Sequence, residues 1–229
     1  MLLNRILSIL FTSLLFASPV LLSGCSHSLV YDPSLHLPPR HMARGQLQAG
    51  VGTGYFLETL PDSVGSMGDM GGSMLFRYQV SEATAVRLGY WDDFRDAGDV
   101  NRYRAGLTAD AIIALSDGRS GSQFFLIPRS ALVLTDYMDG GMGFSIQAGI
   151  ATTLSPVLRL YGAAGPVLGA RNFDESHWGL GALLNAGLGL SISEKLGASV
   201  ELSGTGYYDA YQQMAVAGIS PSLVLSYIF

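Results

Sequence analysis

The side chains of this 229-residue chain that could do chemistry are few: one thiol, four imidazoles and a set of arginines spaced along extended stretches. Cys25 is the single cysteine, so it can form no intramolecular disulfide, and zinc and redox sites need further ligands or thiols. Covalent modification of its sulfur is the chemistry that remains. Three of the four histidines, His27, His36 and His41, fall in a proline-bearing stretch near the N-terminus, which leaves His177 for the rest of the chain. A general base serves a nucleophile only within hydrogen-bond reach. Ser176 is its neighbour, and adjacent strand residues point to opposite faces. There is no phosphate loop, no metal-ligand spacing and no G-x-S-x-G element. No catalytic residue, metal or non-covalent cofactor is therefore expected.

The arginines gain meaning from the elements that carry them. From Gly45 onward the chain alternates with period two, and ten strands are predicted: 46–56, 72–80, 84–92, 101–115, 122–135, 142–153, 157–170, 178–192, 197–208 and 214–229. Eight is the alternative, should 72–92 or 209–229 not be strand. In each strand one parity is apolar, as in Leu47, Ala49, Val51, Thr53 and Tyr55 against Gln46, Gln48, Gly50, Gly52 and Gly54. The other parity holds Arg77, Arg87, Arg102, Arg104, Arg129 and Arg159, with Asp110 and Glu201 as opposing charges. A soluble sandwich or lipocalin-like barrel would turn the apolar face inward and need a Lys- and Glu-rich exterior. Here the polar face is Gly, Ser, Gln and a few Arg, which suits a narrow lumen. The predicted fold is all-β: an antiparallel up-and-down transmembrane barrel, with tight and long connections alternating between its two ends. Its lumen charges read either as an Arg–carboxylate network filling the bore or as the lining of an anion-preferring pore; ten strands leave little open space.

Composition agrees. Net charge is -5 with 13 Lys+Arg, and Lys195 is the sole lysine, which argues against nucleic acid as a partner. Charged residues make up 14% and mean hydropathy is +0.32, yet beyond Leu22 no apolar run approaches the 18 or so residues of a spanning helix. Glycine, at 29 residues, is abundant. A greasy, glycine-rich chain without a helical span points to a closed sheet in a membrane. Aromatic residues near strand ends (Tyr55, Phe56, Tyr90, Trp91, Tyr103, Phe124, Phe144, Trp178, Tyr207, Tyr208, Tyr227 and Phe229) read as interface girdles. Pro221 inside the last strand predicts a bulge or a shortened strand.

The N-terminus has one charge, Arg5, then an apolar run from Ile6 to Leu22, then Leu22-Ser23-Gly24-Cys25. This resembles the signal peptide and lipobox of bacterial lipoproteins. The resemblance implies cleavage after Gly24, diacylglycerol on the Cys25 sulfur and acylation of its new amine. The expected organisation is a signal peptide, 1–24, a lipidated linker, 25–44, and a barrel, 45–229. At roughly 3 Å per residue the arm could reach up to about 60 Å, or fold back under the body. The C-terminal Leu223, Leu225, Tyr227 and Phe229 resemble the terminal signature of bacterial outer-membrane barrels, which is read by the assembly machinery. Rim acids Asp92, Asp93 and Asp174 with His177 invite comparison with omptin proteases, which pair Asp and His across the barrel top, but the constellation is only loosely met. Lipid A deacylases and palmitoyltransferases are small barrels that need a His with Ser or Asp on the wall; only His177 is available there.

The expected function is non-enzymatic: an outer-membrane lipoprotein acting as a structural or accessory component of an envelope, surface or secretion assembly. Its partners would be outer-membrane lipid and envelope proteins, with the lipid holding the 26–44 arm against the inner leaflet. A barrel enzyme acting on lipid A or peptides, and a narrow anion channel, are the alternatives.

Overall fold

The computed structural model describes residues 35–38, 40–58, 67–94, 104–116, 121–135, 141–171, 177–209 and 214–229. They form ten strands: β1 Leu47–Glu58, β2 Met67–Gln79, β3 Thr84–Phe94, β4 Arg104–Ala114, β5 Ser122–Thr135, β6 Gly141–Ser155, β7 Leu158–Arg171, β8 His177–Ser191, β9 Leu196–Asp209 and β10 Met214–Ile228. Each pairs antiparallel with its neighbours in sequence, and β1 pairs with β10 to close the barrel. Closure leaves no edge, so every backbone polar group of the wall can be met within the sheet. The Cys25 and Arg102 positions lie outside the described residues.

Period two decides which way each side chain faces. Val51 is 60% exposed and Leu88 63%, and Leu107, Phe144, Leu180, Val200 and Leu225 are likewise exposed on the outer face. Their lumen-facing neighbours Gln48, Arg87, Thr108, Ser145, Ser199 and Ser226 are buried. An aliphatic belt carried by strand after strand around a closed sheet is far beyond the apolar patch of a soluble monomer and matches the lipid-facing band of a membrane barrel. Among the described residues no helix is long and apolar enough to cross a membrane. Tyr55, Phe124, Phe144, Trp178, Tyr208, Tyr227 and Phe229 are exposed, but Trp91 is not a girdle residue: its odd parity in β3 turns it inward, where it is buried.

No register shift marks Pro221. Pairing with β9 runs unbroken through Pro221↔Leu202, whereas toward β1 it passes from Gly54↔Ser222 to Leu57↔Ile219 in the same register. Proline lacks only its own N–H, so the ladder is interrupted on one side and the strand continues. Pro128 and Pro166 produce the same one-sided gaps, toward β4 and β6. The irregularity lies instead between Thr153 and Ser155, at the β6–β7 turn.

Three inward aromatic rings lie against the glycine directly opposite on the next strand: Trp91 on Gly106, Phe125 on Gly149 and Tyr161 on Gly187. A Cβ at any of the three glycines would collide with the ring. A Gly187→Val substitution is expected to push Tyr161 off its seat and cost about 1–3 kcal/mol, read as a lower temperature for the heat-induced mobility shift on a gel.

The N-terminal segment is not a linker under the body. Residues 35–38 lie within the lumen, where Leu35, His36 and Leu37 are buried, and Arg40, His41 and a buried Met42 follow toward the short-turn mouth. Gly45, with φ of 87°, turns the chain from this segment into β1, and its N–H donates to Gln79 O at 2.8 Å. A left-handed φ is free for glycine and costly for a side chain. The expected placement of the arm against the inner leaflet therefore does not hold for residues 35–38.

Candidate functional site

The inner wall has two chemically distinct halves, and the N-terminal segment matches both. Phe125 and Ile127 of β5, Ala151 of β6, and Tyr161 and Ala163 of β7 form an apolar surface on which Leu35 and Leu37 pack. Opposite it, β9 and β10 offer hydroxyls. His36 points there, its Nδ1 2.9 Å from Ser199 Oγ and its Nε2 3.0 Å from Ser222 Oγ. Alternation along 35–37 thus presents apolar side chains to one wall and a polar ring to the other. His36 has φ of 41°. This region is sparsely populated for residues with a Cβ and persists only where surroundings hold it.

What holds it is Glu201. This fully buried carboxylate accepts from the N–H of Leu35 at 2.5 Å, the N–H of His36 at 2.6 Å, Tyr161 Oη at 2.7 Å, Asn185 Nδ2 at 2.9 Å and Ser203 Oγ at 2.8 Å. A buried carboxylate is tolerable when hydrogen bonds replace its hydration, and here two of the donors belong to the inserted segment. Arginines take the segment's carbonyls. Arg77 donates to Leu35 O at 3.1 Å and His36 O at 2.9 Å, and to Gln48 Oε1 at 2.6 Å. Arg87 donates to Leu35 O at 2.7 Å, and Arg159 to Pro38 O at 3.1 Å. Nearer the short-turn mouth, Arg40 Nε donates to Ser191 Oγ at 2.9 Å.

The second charged centre is Asp110. Its Oδ2 lies 2.5 Å from Arg87 Nη2 and 3.2 Å from Arg129 Nε, all three side chains being almost wholly buried. Their strands are consecutive and their backbones in register, Arg87↔Asp110↔Arg129.

Of the charges assigned to the lumen from parity, the structure brings Arg77, Arg87, Asp110, Arg129, Arg159 and Glu201 inside. Arg104 begins β4, opposite Asp93 and Thr135; its side chain lies outside the described residues. An arginine–carboxylate network accounts for Arg87, Asp110 and Arg129, but Glu201 accepts from the segment's amides and from the neutral Tyr161, Asn185 and Ser203. The exclusion of the linker histidines from the barrel fails for His36, because the segment that carries it is inside. The apolar half of the inner wall was also missed; the signal was present in the odd-numbered Phe125 and Ile127, which share parity with Arg129.

The rim offers no hydrolytic arrangement among the described residues. Asp92 accepts from the N–H of Gly72 at 3.2 Å and lies 3.4 Å from Tyr90 Oη. His177 opens β8 opposite Arg171, its side chain and residues Asp174 and Ser176 falling outside the described set. No group of three or more His, Cys, Asp or Glu that could hold a metal occurs among the described residues.

At the short-turn mouth, partial burial and the nearby Arg159 guanidinium hold the His41 imidazole below its ordinary value. The folded state therefore binds this proton less readily than the unfolded chain, so stability is lost as pH falls from the ordinary imidazole value of 6.5 toward the lower folded one. Melting profiles across that window should slope in the wild type and flatten in His41→Gln.

No family model matches the chain, and no curated protein matches it. Solved structures do. An outer-membrane channel from Pseudomonas putida F1 superposes with a TM-score of 0.56 at 8% identity, over 82% of this chain and 97% of that one. The attachment invasion locus protein Ail of Yersinia pestis matches with a TM-score of 0.41 at 14% identity, over 81% and 99%. The outer-membrane protease OmpT of Escherichia coli matches with 0.41 at 8%, over 80% and 97%. The shared feature is the outer-membrane β-barrel fold, and it carries no common activity.

Proposed function

We propose that the chain is a bacterial outer-membrane lipoprotein, cleaved after Gly24 and acylated at Cys25, whose barrel is a structural or accessory component of an envelope, surface or secretion assembly. One observation carries the non-enzymatic reading: residues 35–38 occupy the lumen, and the buried polar groups around them hold that segment. With the segment in place, a wall committed to its own chain is a closed body in the membrane. The lipobox-like Leu22–Cys25 run and the apolar belt support the membrane assignment, the first from sequence and the second from geometry.

The inserted segment also shortens the tether. Only the residues from Cys25 to Leu35 separate the lipid from the lumen, a reach of about 35 Å at most instead of the 60 Å of a free arm. The lipid would thus be kept close to the barrel, and a partner would meet lipid and barrel as one surface.

The test is mass spectrometry of the N-terminal peptide from outer-membrane fractions, with affinity capture of the lipidated protein. A peptide beginning at an acylated Cys25, and capture of envelope proteins that is lost in Cys25→Ala delivered by an ordinary signal peptide, is the expected result. An unmodified cysteine would remove the lipoprotein reading and leave the barrel intact. Replacement of His177 by alanine is expected to leave the phenotype of the strain unchanged; loss of function would favour an enzyme.

A further inference from the structure

The N-terminal segment is held in a manner that suits release. Apart from the His36 ring, the leucine side chains and Arg40, its grip is on main-chain atoms: carbonyls of Leu35, His36 and Pro38, and amides of Leu35 and His36. No cysteine lies in this segment to cross-link it to the wall, and between Leu35 and Gln46 there is no carboxylate to neutralise the arginines it touches. The segment instead brings Arg40 and Arg44. Among the described residues, the buried lumen charges are Arg77, Arg87, Arg129 and Arg159 against Asp110 and Glu201, a cationic surplus that the segment does not offset.

The polar lining also continues past the segment. Toward the long-connection end, Gln147, Ser145, Thr108 and Trp91 turn inward and are buried. Both amide atoms of Gln147, the hydroxyls of Ser145 and Thr108, and Trp91 Nε1 have no hydrogen-bond partner among the described residues. A purely structural core would fill this layer with apolar groups, because each unpaired buried polar group costs about 1–3 kcal/mol. Polar and cationic side chains on β2 to β7 thus recur along the length of the lumen, from Arg159 and Gln123 near the short-turn mouth, past Arg77, Arg87 and Arg129, to Gln147 and Thr108.

We propose that residues 35–38, with 40–42 at the mouth, act as a displaceable plug, and that withdrawing them opens a narrow pore selective for small inorganic anions. This rests on the membrane-barrel reading above. The bore freed would be that of one extended polypeptide, about 5 Å across the backbone, which suits a partly dehydrated chloride. Cationic walls of low dielectric favour anions over cations.

Planar bilayers under a KCl gradient test this with the full-length protein and a variant in which residues 35–42 are replaced by a Gly-Ser segment of equal length. Heat-dependent gel mobility is followed in parallel. Wild type is expected to stay closed, and the replacement variant to conduct with a reversal potential displaced toward that of chloride. A second variant, Glu201→Gln, keeps the segment but weakens its seat; its open probability should rise by at least about tenfold, with the same selectivity. It serves where the replacement variant does not assemble. Assembled barrels of these variants that stay as closed as wild type, or that prefer potassium, overturn the plug. Loss of the mobility shift in wild type itself would instead remove the barrel reading on which the plug rests.

Discussion

Glu201→Ala is expected to destabilise the barrel by roughly 3–5 kcal/mol, comparable to breaking a buried charged interaction. Five donors converge on this carboxylate: Leu35 N, His36 N, Tyr161 Oη, Asn185 Nδ2 and Ser203 Oγ. Truncation strips them of this acceptor in a buried site, leaving Asn185 Nδ2 with Ser203 Oγ, and the desolvation cost of stranded donors exceeds the modest net value of the bonds themselves. The effect has a local reporter. Arg40 lies within the inserted segment and donates to Ser191, so tryptic cleavage after Arg40 should be slow in wild type and fast in Glu201→Ala. Glu201→Gln keeps the shape and one acceptor oxygen, and it should fall between the two in melting temperature and in cleavage rate. A variant that loses stability without exposing Arg40 would separate the wall from the segment and contradict the coupling.

Asp110→Asn is the second large effect, again about 3–5 kcal/mol, and it arises from repulsion as much as from lost attraction. Arg87 and Arg129 both reach Asp110 Oδ2, from strands on either side of it. Neutralising the carboxylate leaves two guanidiniums facing each other across one strand, with Arg77 opposite Arg87 on the next. Replacing Arg87 by methionine in the same chain removes one of the stranded charges and should restore part of the loss. The double-mutant cycle therefore gives a coupling energy well above the few tenths of a kcal/mol expected of independent sites. Additive effects would show that Arg87 and Asp110 do not interact.

The barrel was legible in the sequence because its physics is local. Alternation at period two, with the mid-strand charges on one parity and only Asp92, near the end of β3, on the other, reports a wall with two different solvents, and the strand bounds follow within a few residues. The same parity placed Arg77, Arg87, Asp110, Arg129, Arg159 and Glu201 on the lumen side. What fills the lumen was not legible. The 26–44 stretch has no periodic pattern, and its prolines speak only against helix and central strand. Its docking depends on Glu201, Arg77 and Arg159, whose contacts span from 41 residues, for Arg77 with His36, to 166, for Glu201 with Leu35. No spacing rule reaches across such separations. Charge parity likewise could not tell an arginine that pairs with a carboxylate from one that grips a backbone carbonyl, as Arg77 does. Trp91 lies near a strand end, as a girdle residue would, but its odd parity in β3 turns it into the lumen.

The insertion of the N-terminal segment is the claim on which the rest depends, and photocrosslinking reads it directly. A benzophenone amino acid replacing Leu37, in the full chain within outer membranes, is irradiated and the products are mapped by mass spectrometry. Leu37 packs among Phe125, Ile127, Ala151, Tyr161 and Ala163. The expected products are crosslinks within one chain, to peptides of β5 and β7. Crosslinks to lipid or to another protein, with none to β5 or β7, would show that the segment lies outside the barrel and would contradict the account.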